Sequence, residues 1–472
     1  MRTRRSPSSG PTTYRSSPCR RGGTALTGVT GRAVPGTVPL SGLAGATRKI
    51  AALDSVDRQD QEWVIRAAMV SASTAPVHHP AGPGRAPRPA AAPEPERLLA
   101  AARSLGDQLV SLAYRTADRA NWLGLELLGD RYWRLGPMPA DLAAGYCGPA
   151  LFLAQLAGVT GVARYAETAS ASLAPVAGLL DALHEDPTAP PAVGSGAFAG
   201  LGGITYTLLE TERLLGEPAC AESLPAALRL LEAAAAGERE TGVGAGTAGA
   251  RGSPRRTPGH RTAGDAARRR TLCGTTGGRR PPAGTGFLDG SAGTGWALLR
   301  YAERTGSSRF REAGLEALRA AVAPPPTTNA AAQGGWCHGR AGTALAVADS
   351  PAALADPRLT AWLTETAHLL RRAEPRPDDS LCHGEAGRLE LLGHAALAGA
   401  RAGLVHRTGV LLASVEDDGP RCGTPDHVPH AGLLTGLAGI GHGLLRAGFP
   451  DRVPSVLLLD LPTRPTTPDH RL

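Results

Sequence analysis

Lysine is almost missing from this chain of 472 residues: Lys49 is the only one, and arginine carries the remaining basic charge. Aromatic residues make up only 4%. A nucleic-acid surface places basic residues on one face of a structured element, with aromatics for stacking, and the sequence offers neither. No stretch approaches ~20 uninterrupted apolar residues, so no membrane-spanning helix and no membrane insertion are expected. The N-terminal arginines are not followed by an apolar run, so no secretory signal is expected. Seven cysteines, Cys19, Cys147, Cys220, Cys273, Cys337, Cys382 and Cys422, form an odd number in a long chain. They show no compact disulfide framework, which points to a reducing, cytoplasmic setting.

A net basic balance is also missing from most of the chain, despite a formal net charge of +8. Residues 1–50 hold nine basic residues and no acidic one, and residues 251–280 hold nine arginines against Asp265 alone. These two segments together exceed the total, so the remainder is acidic and the basic charge does not describe the folded body.

Residues 1–48 are rich in Arg, Ser, Pro, Gly and Thr with no helical or strand period, and read as disordered. Residues 49–72 read as one isolated helix, and residues 73–94, rich in Pro and Ala, as a linker. From residue 95 the pattern turns helical. Leu98, Leu99, Leu105, Leu109 and Leu112 recur at helical spacing, which predicts a helix to about Ala120 and a second around Trp122 to Leu128. Residues 252–282 interrupt the pattern, and Pro254, Pro258, Pro281 and Pro282 argue against continuous helix there. Arg/Pro/Gly-rich text of this kind, like that of residues 1–48, is either a flexible segment or what a GC-rich gene yields when read out of frame.

What is abundant is glycine, and it repeats. Gly-x-x-Gly followed by a small or apolar run occurs at Gly145–Gly148, Gly200–Gly203, Gly246–Gly249, Gly290–Gly293, Gly339–Gly342, Gly384–Gly387 and Gly436–Gly439. The second glycines lie 55, 46, 44, 49, 45 and 52 residues apart. A near-constant period of this size marks one supersecondary unit per repeat. Helical runs such as Phe310–Val322 and Leu359–Arg372 fill the intervals, so each unit is about two helices. The fold class expected is all-α, with no convincing alternating strands. Seven helical hairpins with their glycine loops at one end can close into a ring, an α/α toroid; an open solenoid is the alternative.

Two of these loops carry chemistry. Cys337 in Trp336-Cys337-His338-Gly339, with Cys382 and His383 in Cys382-His383-Gly384, make a set of two sulfurs and one imidazole. Such a set suits Zn2+ and leaves a fourth tetrahedral position for water or a substrate thiol. The bland readings are a structural zinc site or buried thiols. His338 is either positional, a group behind the ligands, or a proton donor. Asp289 is either an N-cap of the following helix or a proton-transfer group. His442, Trp296 and Trp336 read as packing residues. Cys147, Cys220, Cys273 and Cys422 lack ligand-like spacing and read as packing or surface thiols.

The stretches Asp141–Leu156, Phe198–Leu209, Gly286–Leu299, Trp336–Gly342, Leu381–Gly387 and Cys422–Leu459 resemble the lanthionine synthetase C-like cyclases. The resemblance is greatest to the C-terminal cyclase half of class II lanthipeptide synthetases, and it covers about residues 95–465. Residues 49–72 look like a remnant of the dehydratase domain that precedes that half. The resemblance implies a toroid of seven inner and seven outer helices with zinc at its mouth. It also implies a cyclase that adds cysteine thiols of a dehydrated precursor peptide to dehydroalanine or dehydrobutyrine. A separate dehydratase and an export transporter are the further partners it suggests. Two positions depart from the family pattern. The family's histidine before the first glycine of the fourth unit is Asp289 here. Its aspartate seven residues before the second glycine of the third unit is Gly242. Both positions are tied to proton handling, so the metal half of the expected site is intact and the proton-handling half is altered.

Overall fold

The computed structural model describes residues 23–27, 33–34, 39–71, 92–128, 132–186, 188–237, 242–245, 284–323 and 334–461. The chain divides into two compact units, Met1–Arg66 and Ala67–Leu472. The first contains α1 (Gly42–Ala52), capped by the Ser41 hydroxyl, which accepts from Ala44 N. The boundary expected at residue 48 thus falls inside a helix. α2 (Ser55–Ser71) follows as a separate element. Within the segment expected to be disordered, Leu26–Thr27 also pairs antiparallel with Ala33–Val34. Most of its other residues, nearly all of the linker at 73–94 and the whole of 252–282 lie outside the described residues.

The second unit is built of helical hairpins. In chain order these are α3 (Pro95–Ser111), α4 (Cys147–Thr160), α5 (Ala163–Leu173), α6 (Pro175–Glu185), α7 (Ala189–Val193), α8 (Leu201–Leu215), α9 (Pro218–Gly237), α10 (Ser291–Thr305), α11 (Ser308–Ala321), α12 (Arg340–Ala348), α13 (Pro351–Leu354), α14 (Pro357–Arg372), α15 (Glu385–Leu392), α16 (Arg401–Asp418) and α17 (Leu437–Gly448). They sort into two layers by burial. In α4 every residue from Cys147 to Ala157 is buried, and in α12 every residue from Ala341 to Ala348. A helix apolar all round belongs inside. In α14 only Leu359, Leu363, Thr366, Ala367 and Leu370 are buried, a single stripe at helical spacing. The inner layer is therefore α4, α8, α10, α12, α15 and α17. Against these pack α5, α9, α11, α14, α16 and α3 respectively.

Six of the seven glycine pairs open these inner helices; Gly246–Gly249 lies outside the described residues. The second glycine of each of the six sits on the carbonyl six residues before it. A Cβ at Gly439 would stand 1.7 Å from Leu433 O, one at Gly293 1.8 Å from Phe287 O, and one at Gly342 1.9 Å from Trp336 O. No side chain fits there, which is why the pair repeats.

Those same loops close the ring. Ala143 N donates to Phe198 O, Phe198 N to Gly244 O, Gly244 N to Leu288 O, Leu288 N to Cys337 O, Cys337 N to Cys382 O, Cys382 N to Leu434 O, and Leu434 N to Ala143 O. This circuit runs head to tail through seven loops and returns to its start. It includes the third unit through Gly244. The architecture is an α/α toroid of seven repeats, with the described glycine loops at one mouth; a solenoid would leave the circuit open.

The helix expected to reach Ala120 ends at Ser111, and the helix expected around Trp122–Leu128 is a strand. Leu123–Leu128 pairs antiparallel with Tyr132–Pro137, with Leu125 opposite Leu135, Glu126 opposite Arg134 and Leu127 opposite Trp133. Leu125 and Trp133 are buried, whereas Glu126 and Arg134 form an ion pair. In the half of the ring away from the loops, the segment Val453–Leu459 is buried among the inner helices. Arg446 Nη1 donates to Val453 O, Arg300 Nη1 to Leu458 O, and Tyr206 Oη to Asp460 O. Among the described residues no helix is long and apolar enough to cross a membrane.

Candidate metal centre

Cys337 lies two residues before Gly339, the N-cap of α12; Cys382 and His383 directly precede Gly384, the N-cap of α15. The hydrogen bond from Cys337 N to Cys382 O, 3.1 Å, ties the two loops together. The repeat therefore brings residues 45 positions apart in sequence into one place. The sulfurs of Cys337 and Cys382 and a ring nitrogen of His383 all lie within 4.8 Å of one another. The three residues are 2%, 4% and 2% exposed. Thiolates beside helix N-termini also gain from the aligned backbone dipoles.

The donor set fits a tetrahedral divalent ion of the zinc type. Zn–S of ~2.3 Å and Zn–N of ~2.0 Å bring ligand atoms to roughly 3.5–3.8 Å of one another, which small side-chain rotations achieve from the observed spacing. Without a cation, the Cys382 thiol is pushed well above its ordinary range by its hydrogen bond with Cys337 and by burial. Two adjacent buried thiolates repel and are poorly solvated; a metal ion removes both penalties.

Burial lowers the pKa of the His383 imidazole, but the Asp378 carboxylate and the Cys337 thiol outweigh that and move it upward. Asp378 is fully buried. The loop that holds His383 is clamped by buried ionic contacts. Arg376 Nε donates to His383 O at 2.8 Å, and Arg376 N to Glu385 Oε2 at 3.1 Å. Glu385 also pairs with Arg407 at 2.7 Å and with Arg388 at 3.2 Å. Burial, with Arg407 and Arg376 nearby, lowers the Arg388 pKa to about 10 despite Glu385. The sequence reading missed this clamp and Asp378. The one visible signal was the acidic pair Asp378-Asp379 just ahead of the Cys-His motif.

Asp289 and His338 are both exposed at the loop mouth, and a Cβ on Gly286 would come within 2.5 Å of His338 Cα. Asp289 does not cap α10: the N-cap is Gly290, with no side-chain cap bond. Its carboxylate turns to Gly242 instead. A Cβ there would meet Asp289 Oδ1 at 2.8 Å, and one at Gly244 would meet it at 3.0 Å. The two departures from the family pattern are thus neighbours in space. The charge of Asp289 also reaches Cys382, where with Asp378 it opposes a further negative charge.

The remaining candidates are packing residues. Trp296 and Trp336 are fully buried, each about 5 Å from the Phe287 ring. His442 is buried with Nδ1 2.8 Å from Gln155 Oε1. Cys147, Cys220 and Cys422 are buried free thiols, and burial pushes the latter two up to about 12; Cys273 lies outside the described residues.

The family model described as "Lanthionine synthetase C-like protein" matches residues 136–458. Among solved structures, a nisin cyclase matches with a TM-score of 0.50 and 15% sequence identity, over 68% of this chain and 92% of its own. That likeness is one of fold. No curated protein matches by sequence. The match spans the glycine-loop circuit and the cysteine–histidine cluster alike, and the chain belongs to the lanthionine synthetase C-like family.

Proposed function

We propose that this chain is a zinc-dependent lanthipeptide cyclase, related to the C-terminal half of class II synthetases and acting in the cytoplasm. It joins a cysteine thiol of a dehydrated precursor peptide to dehydroalanine or dehydrobutyrine, forming a (methyl)lanthionine ring. The carrying observation is the buried Cys337–Cys382–His383 cluster, set into the loop circuit that closes the toroid. On this reading residues 49–72 are similar to the end of the dehydratase domain that precedes the cyclase in class II synthetases. A separate dehydratase supplies the substrate, and a transporter exports the product.

Cys337, Cys382 and His383 would hold the ion. Bound there, zinc supplies a Lewis acid that keeps a substrate thiol ionised near neutral pH. In the reaction a sulfur–carbon bond forms at the β-carbon of the dehydro residue. The π pair moves toward the amide carbonyl, and a proton is delivered to the α-carbon. Asp289 and His338 are the exposed titratable side chains of the two loops at the mouth, and one of them delivers that proton. A positioned acid of this kind contributes ~10²–10⁴-fold.

A second reading, favoured by the Asp289 and Gly242 departures, keeps zinc and peptide binding and lacks efficient catalysis. The two separate in one assay: alkylatable thiols on a dehydrated peptide, counted by mass over time. The cyclase reading expects ring closure well above the spontaneous rate, lowered by Asp289→Asn. Closure at the spontaneous rate with zinc bound stoichiometrically supports the second reading, and a gain with Asp289→His then identifies the missing acid as the defect.

A further inference from the structure

We propose that Asp378 is a positioning residue: its carboxylate accepts a hydrogen bond from Nε2 of His383 and so leaves Nδ1 as the metal-binding nitrogen. The inference rests on the zinc reading above and goes further, because it assigns the tautomer and the group that sets it.

Three observations carry it. Asp378 Oδ2 lies 3.8 Å from His383 Nε2, with both side chains essentially excluded from water. The two Asp378 oxygens differ in use: Oδ1 accepts from Ser380 N at 3.0 Å, whereas Oδ2 has no hydrogen-bond partner. A buried carboxylate oxygen without a donor is costly, so it awaits one. Third, backbone also crowds the Nε2 edge. A Cβ on Gly423 would stand 2.8 Å from the same Nε2, and Gly423 N is held by Thr435 O at 2.7 Å. The Nε2 edge of the imidazole thus sits between a carboxylate and backbone, with no room for an ion and its substrate ligand. The Nδ1 edge is the one left for the thiols. A rotation that draws the ring onto a metal needs to shorten the Nε2–Oδ2 gap by less than 1 Å to complete the bond. Carboxylate–histidine–metal arrays of this kind fix ring orientation and raise ligand basicity, and losing the outer partner costs ~10–100-fold in metal affinity.

The test is Asp378→Asn. The amide keeps its shape and the bond from Ser380 N to Oδ1, which places an NH2 group where Oδ2 was. Two donors then face each other at Nε2. In the full chain, stripped of metal and titrated with zinc against a chromophoric chelator, the variant should bind ~10–100-fold more weakly than wild type. Its cobalt(II)-loaded visible spectrum should also shift in the ligand-field bands. Zinc affinity within twofold of wild type and an unchanged cobalt spectrum overturn the proposal while leaving the zinc reading standing. Failure of the wild-type chain to bind zinc overturns both. If Asp378→Asn does not fold, Gly423→Ala presses on the same Nε2 edge. It should weaken zinc binding, and unchanged affinity there counts against the proposal.

Discussion

Asp289 stands where a glycine has made room for it. With Oδ1 2.8 Å from the position of a Gly242 Cβ, a carboxylate at 289 and any larger residue at 242 compete for one space. Gly242→Asp alone should therefore damage the site, because two carboxylates would crowd together. Gly242→Asp combined with Asp289→His should recover much of the loss. Single and double variants are expected to be strongly non-additive in ring-closure rate, as contacting residues are; additive effects would show that the two positions do not interact. A second residue-level prediction concerns acid. Burial lowers the pKa of both His430 and His442 to about 4, against ~6.5 in an unfolded chain. Protonation therefore favours unfolding. Their stabilising contribution is complete above pH ~6.5 and is lost as pH falls toward ~4, by about 2–3 kcal/mol each. Melting temperature followed from pH 7.5 to 4.5 should fall across that window, and less steeply in His442→Gln. The grouping of Cys337, Cys382 and His383 was legible in the sequence because two equivalent repeat positions carry Cys-His-Gly. Asp378 and the pairing of residues 242 and 289 were not. Their meaning depends on which side chains the folded loops bring together, and no spacing rule encodes that.

At the level of elements, the glycine pair is the unit of construction. Replacing Gly293 or Gly439 by alanine puts a methyl group within 2 Å of a buried carbonyl. Such overpacking against backbone should cost ~3 kcal/mol or more, measured by denaturant unfolding. Gly178, exposed within α6 with nothing within 4 Å of a Cβ, is the control. Gly178→Ala should stabilise by ~0.5–1 kcal/mol. The helices of both layers were readable because their apolar spacing and glycine pairs agree. The hairpin at Leu123–Pro137 was not. Leu123, Leu127 and Leu128 fit a helical face as well as Leu123, Leu125 and Leu127 fit a strand, and short apolar runs are ambiguous on periodicity alone. Its pairing with Tyr132–Pro137 decides the matter.

Across the whole molecule, the toroid is closed twice, by the loop circuit at one mouth and by the segment Val453–Leu459 in the other half. Arg300 joins that segment to the wall. It pairs with Asp349 at 3.0 Å and with Asp460, donates to Leu458 O at 2.7 Å, and stacks over Trp296. Arg300→Ala leaves Asp349 buried without this partner and should cost ~3–5 kcal/mol, seen as a lowered unfolding midpoint. The closure brings the glycine loops, and with them Cys337, Cys382 and His383, to a common rim. The zinc-dependent cyclase reading is tested most directly by a time course of thiol loss from a dehydrated peptide, followed with wild-type protein that is zinc-loaded, zinc-stripped and zinc-restored. It predicts fast loss with the loaded protein, the spontaneous rate when stripped, recovery on restoring zinc, and no recovery in Cys382→Ala. Equal rates with and without zinc, or full activity in Cys382→Ala, would contradict it.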